Sequence, residues 1–367
     1  MIKPKEHFHG SDLEKIEKIY GIKKEDIISF SANVNPIGIS PLLRKELSYK
    51  IDAITSYPDR EYTELRKSIC NYTGADFHKI IVGNGTTELI SLFIQSICPK
   101  RALILGPTYS EYEREISLSN GQTLYYPLKE ENNFKLDIND FCSQFDETIN
   151  LVVLCNPNNP TASAISKKDM EYILKVADKY NIIVMVDETY VEFSPETIDI
   201  SAIPLTNSYS NLIILRGISK FFASPGLRLG YAITGNSDLI NYINTKKNPW
   251  TINSLAEVAG CIMFSDQDYI EKTKALISTE RERITSILST WDCIKVYPTY
   301  ANFVLVKILK DDITADQIFD FCIKKGFMIR DCSDFPYLDS SFIRFCIMNP
   351  EHNDALIQAL KECLKIS

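Results

Sequence analysis

The sequence has 367 residues, of which 45% are hydrophobic and 24% charged, with a formal net charge of -8 at pH 7. That length accommodates a large and a smaller domain around a full core, the balance is that of a soluble globular chain, and the acidic excess excludes a nucleic-acid surface as the main partner. No run of about eighteen apolar residues occurs, so no membrane span is expected, and the polar stretch 1–10 lacks the apolar core of a leader peptide. The ten Cys include no Cys-x-x-Cys pair, so no zinc knuckle or thioredoxin-type motif is visible and no metal is expected. An even number of Cys also suits a disulfide framework. Most of them lie in apolar runs of a long chain, however, which reads as buried reduced thiols and a cytoplasmic location.

In chain order, β-rich runs alternate with amphipathic segments. A strand over 79–82 leads into Gly83-Asn84-Gly85-Thr86-Thr87-Glu88 and a helix over 86–97. A helix N-terminus offers free backbone N–H groups to a phosphate. The same residues also make a plain turn and cap, with Thr86 and Thr87 as capping hydroxyls and Glu88 supporting the first turn. A strand over 101–105 precedes Pro107-Thr108-Tyr109-Ser110-Glu111-Tyr112 and a helix over 110–118. The strand 150–154 runs into Asn156-Pro157-Asn158-Asn159-Pro160-Thr161, where an Asn can donate to a ligand oxygen or simply build a loop.

A helix over 167–180 is followed by the apolar strand 182–186, which ends at Asp187, with Tyr190 three residues on. An Asp at that place caps the next element, or holds a ring nitrogen protonated. The strand 211–215 precedes Ser219-Lys220, flanked by Phe221 and Phe222; partial desolvation there lowers a lysine pKa and favours imine chemistry. Arg228 stands just before the strand 229–234, and its guanidinium fork suits a phosphate. Strands alternating with helices predict βαβ units and a mostly parallel sheet, whose ligands lie beyond the strands' carboxyl ends. From about residue 253 the texture changes to a long helix over 266–288, strands over 301–306 and 342–347, and a helix over 352–364. This reads as a smaller α/β layer.

The ordered set of phosphate loop, aromatic, Asn-Pro, Asp-x-x-Tyr, Ser-Lys and Arg resembles the fold-type I pyridoxal 5′-phosphate (PLP) enzymes of the class I/II aminotransferase superfamily. The resemblance spans roughly residues 9–364. It implies a three-layer α/β sandwich with a mostly parallel central sheet over 45–250. It also implies a smaller domain made of 1–44 and 251–367. Lys220 would carry the cofactor as an imine and move the proton, and Asp187 would pair with the ring nitrogen. Asn159 and Tyr190 would bond the ring's 3-oxygen, and Tyr109 would stack on the ring. Gly85, Thr86, Thr87, Ser219 and Arg228 would hold the phosphate. Tyr57, in Tyr57-Pro58-Asp59, would reach the phosphate of the neighbouring subunit of a homodimer. Core or interface packing is the ordinary use of both tyrosines.

Two branches handle phosphorylated substrates: histidinol-phosphate aminotransferase and threonine-phosphate decarboxylase, a cobalamin-pathway enzyme. His9-Gly10, the segment Asn33-Val34-Asn35-Pro36 and Arg330-Asp331-Cys332-Ser333-Asp334-Phe335 look like the decarboxylase. Val34 stands where the aminotransferase usually has Glu. By the resemblance Arg344 would grip a carboxylate and Arg330 a substrate phosphate, helped by His9 and Asn33; a salt bridge from Arg330 to Asp331 is the plain alternative. Gly217, Ala162, Met348 and Ser11-Asp12 depart from the pattern. Decarboxylation is the expected reaction, with transamination as the alternative. A PLP-fold regulator lacks its usual DNA-binding appendage here, and a dinucleotide-binding enzyme lacks its Gly-x-Gly-x-x-Gly.

Overall fold

The structure, a computed structural model, describes residues 12–195 and 199–366. The chain enters through α1 (Leu13–Tyr20), the two-residue β1 (Ile28–Ser29), α2 (Pro41–Tyr49) and α3 (Thr63–Thr73). Alternation follows: β2 (Ile80–Gly83), α4 (Gly85–Ile97), β3 (Arg101–Gly106), α5 (Glu111–Leu118), β4 (Gln122–Pro127), α6 (Ile138–Ser143), β5 (Leu151–Cys155), α7 (Lys167–Lys179), β6 (Ile183–Asp187), β7 (Leu212–Gly217) and β8 (Gly230–Thr234). Three helices, α8 (Ser237–Lys246), α9 (Ser254–Met263) and α10 (Gln267–Leu288), lead to β9 (Ile294–Val296), β10 (Phe303–Ile308), α11 (Ala315–Lys324), β11 (Phe327–Met328), β12 (Arg330–Asp331), β13 (Phe342–Cys346) and α12 (Pro350–Leu364).

The large sheet has the order β2-β8-β7-β6-β5-β3-β4. From β4 to β7 all pairings are parallel, and β8 runs antiparallel to both β7 and β2. The two reversals cancel, so β2 points the same way as the parallel set. The carboxyl ends of β2, β3, β5, β6 and β7 therefore share one edge, where such sheets bind ligands. The expected three-layer α/β sandwich with a mostly parallel sheet is the architecture found.

The central strands are buried end to end. Alternate residues feed two separate cores. Val152, Leu154, Val184, Val186, Leu212 and Ile214 face one. Leu151, Val153, Cys155, Met185, Ile213 and Leu215 face the other. Helix cover on both faces is why these strands read as unbroken apolar runs without polar alternation. α7 shows the complementary logic. Ser166 accepts from the Asp169 N–H at its start, and Met170, Ile173, Leu174 and Ala177 form one buried stripe.

The second sheet, β12-β13-β10-β9, is antiparallel throughout. β1, near the start of the chain, pairs in parallel with β11, near its end. The expected strand over 301–306 begins two residues later, because Ala301 and Asn302 belong to a loop that hydrogen-bonds elsewhere. β4 was not foreseen. It is an edge strand of only intermediate burial, and its sequence QTLYYP carries no apolar run.

Candidate active site

The loops leaving β2, β3, β5, β6 and β7 meet residues 31–34 and the second sheet around a cavity of about 470 Å³. Lys220 lies on the loop after β7, and its Nζ donates to the Ala32 carbonyl at 2.6 Å. Burial, then the nearby Arg344 and Arg228 guanidiniums, depress its ammonium from 10.5 to about 8. A substantial share is thus free amine at mildly basic pH, the form a nucleophile or base requires.

Asp187 ends β6, buried. Its Oδ1 accepts from the Thr189 N–H at 2.9 Å and the Thr189 hydroxyl at 2.5 Å, and its Oδ2 accepts from the Tyr112 hydroxyl at 2.8 Å. Burial pushes this carboxyl upward, and the Thr189 and Tyr112 donors pull it back toward the charged form. Tyr109 also lines the cavity and meets the Tyr112 ring edge-on at 5.6 Å.

Gly85 opens α4 at φ +81, and a Cβ there would sit 2.4 Å from Arg228 Nη2. Only glycine lets that guanidinium approach the helix N-terminus so closely. Thr86, Thr87 and Ser219 line the same corner. The expected threonine cap is corrected: Glu88 Oε2 accepts from the Asn84 N–H at 2.6 Å, and no side chain at Asn84 caps the helix. Gly217 has a physical reason as well. A Cβ at 217 would lie 3.0 Å from the Thr86 methyl.

Tyr190 and Asn159 stand across the cavity. The Tyr190 hydroxyl accepts from Asn33 Nδ2 at 3.3 Å. Asn159 Oδ1 accepts from Arg344 Nη1. Arg344 Nη2 donates to the Ser31 carbonyl at 2.8 Å. Arg344 Nε, Asn33 Oδ1 and Ser31 Oγ are buried with no partner among the described residues, the condition a polar ligand relieves. Arg330 and Arg344 are direct cross-strand partners on β12 and β13, so their side chains leave one face together. Arg330 Nη2 donates to both carboxylate oxygens of Asp334, at 2.7 and 2.6 Å. The partner considered from the sequence, Asp331, is thereby replaced by Asp334, because strand alternation turns residue 331 to the opposite face.

Tyr57 lies outside the cavity. It is 81% exposed and packs on the Trp250 ring at 4.9 Å. His9 falls outside the described residues. Sequence reasoning missed Tyr112, Thr189, Asn158 and Asp334. Asn158 clamps two loops, accepting from Thr108 and donating to the Pro107 carbonyl and Thr161. Tyr112 was legible only as a tyrosine three residues beyond Tyr109, and Thr189 as a hydroxyl two residues beyond Asp187. The ten Cys are free thiols.

An amine of depressed pKa, a buried carboxylate suited to a ring nitrogen, an aromatic wall and a hydroxyl-and-guanidinium corner form a donor set that fits PLP. Residues 25–360 match the family model for aminotransferase class I and II, and the chain belongs to that family. It is a fold-type I PLP enzyme. Over 90% of its length it is 38% identical to a protein provisionally named threonine-phosphate decarboxylase from Caldanaerobacter subterraneus subsp. tengcongensis, covering 88% of that relative. It is 30% identical to histidinol-phosphate aminotransferase from Methanothermobacter thermautotrophicus, covering 97% and 94% of the two chains. The solved histidinol-phosphate aminotransferase from Clostridium acetobutylicum superposes with a TM-score of 0.84 at 35% identity, covering 91% of this chain and 98% of that one. Aminotransferases match at least as strongly as decarboxylases, so the expected decarboxylase is not singled out.

Proposed function

We propose that this chain is a PLP-dependent aminotransferase acting on a small phosphorylated amino acid or amine. The observation that carries the reading is the pairing of Arg330 with Arg344 across β12 and β13, with Arg344 hydrogen-bonded to Asn159. Asp334 already answers Arg330, whereas Arg344 Nε is buried with no partner among the described residues and is left for a substrate anion. A compact substrate bearing a phosphate, with or without a carboxylate, supplies that anion.

Bound PLP supplies an electron sink that makes bonds at the substrate's Cα labile. Lys220 carries the cofactor and, as a neutral amine, takes and returns the Cα proton. Asp187 holds the ring nitrogen protonated, Asn159 and Tyr190 bond the 3-oxygen, and Tyr109 covers the ring face. Gly85, Thr86, Thr87, Ser219 and Arg228 hold the phosphate, with Tyr57 reaching the partner's phosphate in a homodimer. Asn33, Arg330 and Arg344 would meet the substrate, and His9, expected to help there, lies outside the described residues. Residues 45–250 form the cofactor-binding unit, and the two chain ends form the smaller one. Arg344, tied to Asn159, would hold a substrate carboxylate in place. A carboxylate held in this way would be kept from leaving, which favours transamination, with Lys220 taking the Cα proton.

Decarboxylation is the second reading. The 38% identical relative and the apolar Val34 on the cavity wall favour it. It follows if Arg344 takes the phosphate and leaves the carboxylate ungripped. Purified protein is incubated with histidinol phosphate or with threonine phosphate, each with and without 2-oxoglutarate. Glutamate formation that requires 2-oxoglutarate is the expected result. Carbon dioxide release from threonine phosphate without any 2-oxo acid overturns it in favour of the lyase.

A further inference from the structure

Tyr112 lies in the first turn of α5 with no exposed surface. Its hydroxyl donates to Asp187 Oδ2 at 2.8 Å, while Thr189 occupies Oδ1 with two donors. The Asp187 carboxylate is therefore fixed from two independent elements: its own loop grips one oxygen, and a helix from the far side of β3 grips the other. The same tyrosine supports the Tyr109 ring through an edge-on contact at 5.6 Å and 85°. One side chain thus braces both the group that meets the cofactor's ring nitrogen and the group that covers its face.

The chemistry of the surroundings makes this brace consequential. Among the described residues the titratable groups facing Asp187 are Cys155 on β5, Tyr109, Tyr112 and Tyr190, none of them a cation. Burial favours the neutral acid, so the charged form depends on hydrogen bonds. Tyr112 keeps its proton at working pH and so remains a donor to the Asp187 carboxylate, because burial and Asp187 hold its phenol well above the ordinary tyrosine range.

We infer that Tyr112 is a positioning residue for the cofactor, acting through Asp187 to keep that carboxylate charged and aimed. The inference rests on the PLP reading above. It is tested with PLP titrations of cofactor-free protein, followed by visible absorbance across pH, in wild type, Tyr112→Phe, Asp187→Asn and the double variant. Phenylalanine keeps the ring and its contact with Tyr109 and removes only the donor. Tyr112→Phe is expected to weaken PLP binding about tenfold, the ordinary worth of a hydrogen bond to a charged group. It is also expected to move the acid limb of the cofactor's visible titration to higher pH, since a carboxylate that loses a donor protonates more readily. In the Asp187→Asn background the same change costs less than about twofold, as coupled partners require. An equal loss in both backgrounds marks mere packing and overturns the inference, as does an unchanged wild-type-like titration. A wild type that develops no visible band with PLP overturns the cofactor reading itself, and this inference with it.

Discussion

At the scale of single residues, the chemistry turns on how strongly the fold disfavours charge at Lys220. Its value falls from 10.5 to about 8 through burial and the neighbouring Arg344 and Arg228. Between those two pH values the unfolded chain binds more protons than the folded one, so folding stability rises with pH through that window and is level outside it. Cofactor-free wild type should therefore gain in urea midpoint from about pH 8 to 10.5 relative to Lys220→Met, which lacks the group. Parallel curves for the two proteins would sink the argument. Lys220 and Asp187 were legible because each follows an apolar strand at the sheet's active edge. The Ala32 carbonyl that receives Lys220 was not, since a backbone oxygen has no residue signature. Asp334 stayed hidden for another reason. Whether residue 331 or residue 334 meets Arg330 depends on where β12 stops, and two residues of strand leave no pattern to read.

At the scale of elements, α4 and β7 meet through a fitted pair. The Thr86 methyl fills the space where a side chain at 217 would begin, and Thr86 lines the cavity at the corner proposed to hold the phosphate. The hydroxyl that Gly217 lacks is thus supplied from the facing helix. Gly217→Ser should weaken PLP binding by about tenfold, the scale of a tight overpacking. In a Thr86→Ala background the same serine should restore affinity to within about threefold of wild type, because space and hydroxyl have exchanged places. Equal losses with and without Thr86→Ala, measured by PLP titration, would disprove the exchange. Ala162 is the counter-case. It holds φ +55 while fully buried, the conformation that suits the glycine of the family pattern, so this departure is borne as strain. Elements buried on both faces were legible as apolar runs. Those that were missed, such as β4, lie at edges where burial is partial and the pattern fades.

At the scale of the whole molecule, the site depends on distant parts of the chain closing on one another, and that closure runs through Asn35. Its backbone N–H donates to the Lys220 carbonyl at 3.0 Å. Its side chain donates toward the Phe221 carbonyl at 2.8 Å, Tyr269 at 2.9 Å and Thr273 at 2.8 Å. One residue near the start of the chain thus ties the loop bearing Lys220 to α10. In the sequence Asn35 stands only as part of the Asn33-Val34-Asn35-Pro36 segment, because contacts between residues more than 180 positions apart leave no local trace. Asn35→Leu removes the amide that donates toward these three acceptors, of which the Phe221 carbonyl keeps the Tyr269 hydroxyl as a second donor at 3.3 Å. Each orphaned acceptor costs about 1–3 kcal/mol, partly recovered by relaxation. A loss of several kcal/mol is a large part of an ordinary stability margin. Asn35→Leu is accordingly expected to lower the melting temperature by several degrees and to loosen PLP, since the loop bearing Lys220 then keeps only the Tyr269 hydroxyl as its hydrogen bond to α10. A ligand that binds only the folded state stabilises it in proportion to its affinity. The rise in melting temperature on adding PLP should therefore be smaller in Asn35→Leu than in wild type. If melting falls but the PLP-induced rise is unchanged, Asn35 serves the fold alone and the cofactor loop is held by other means.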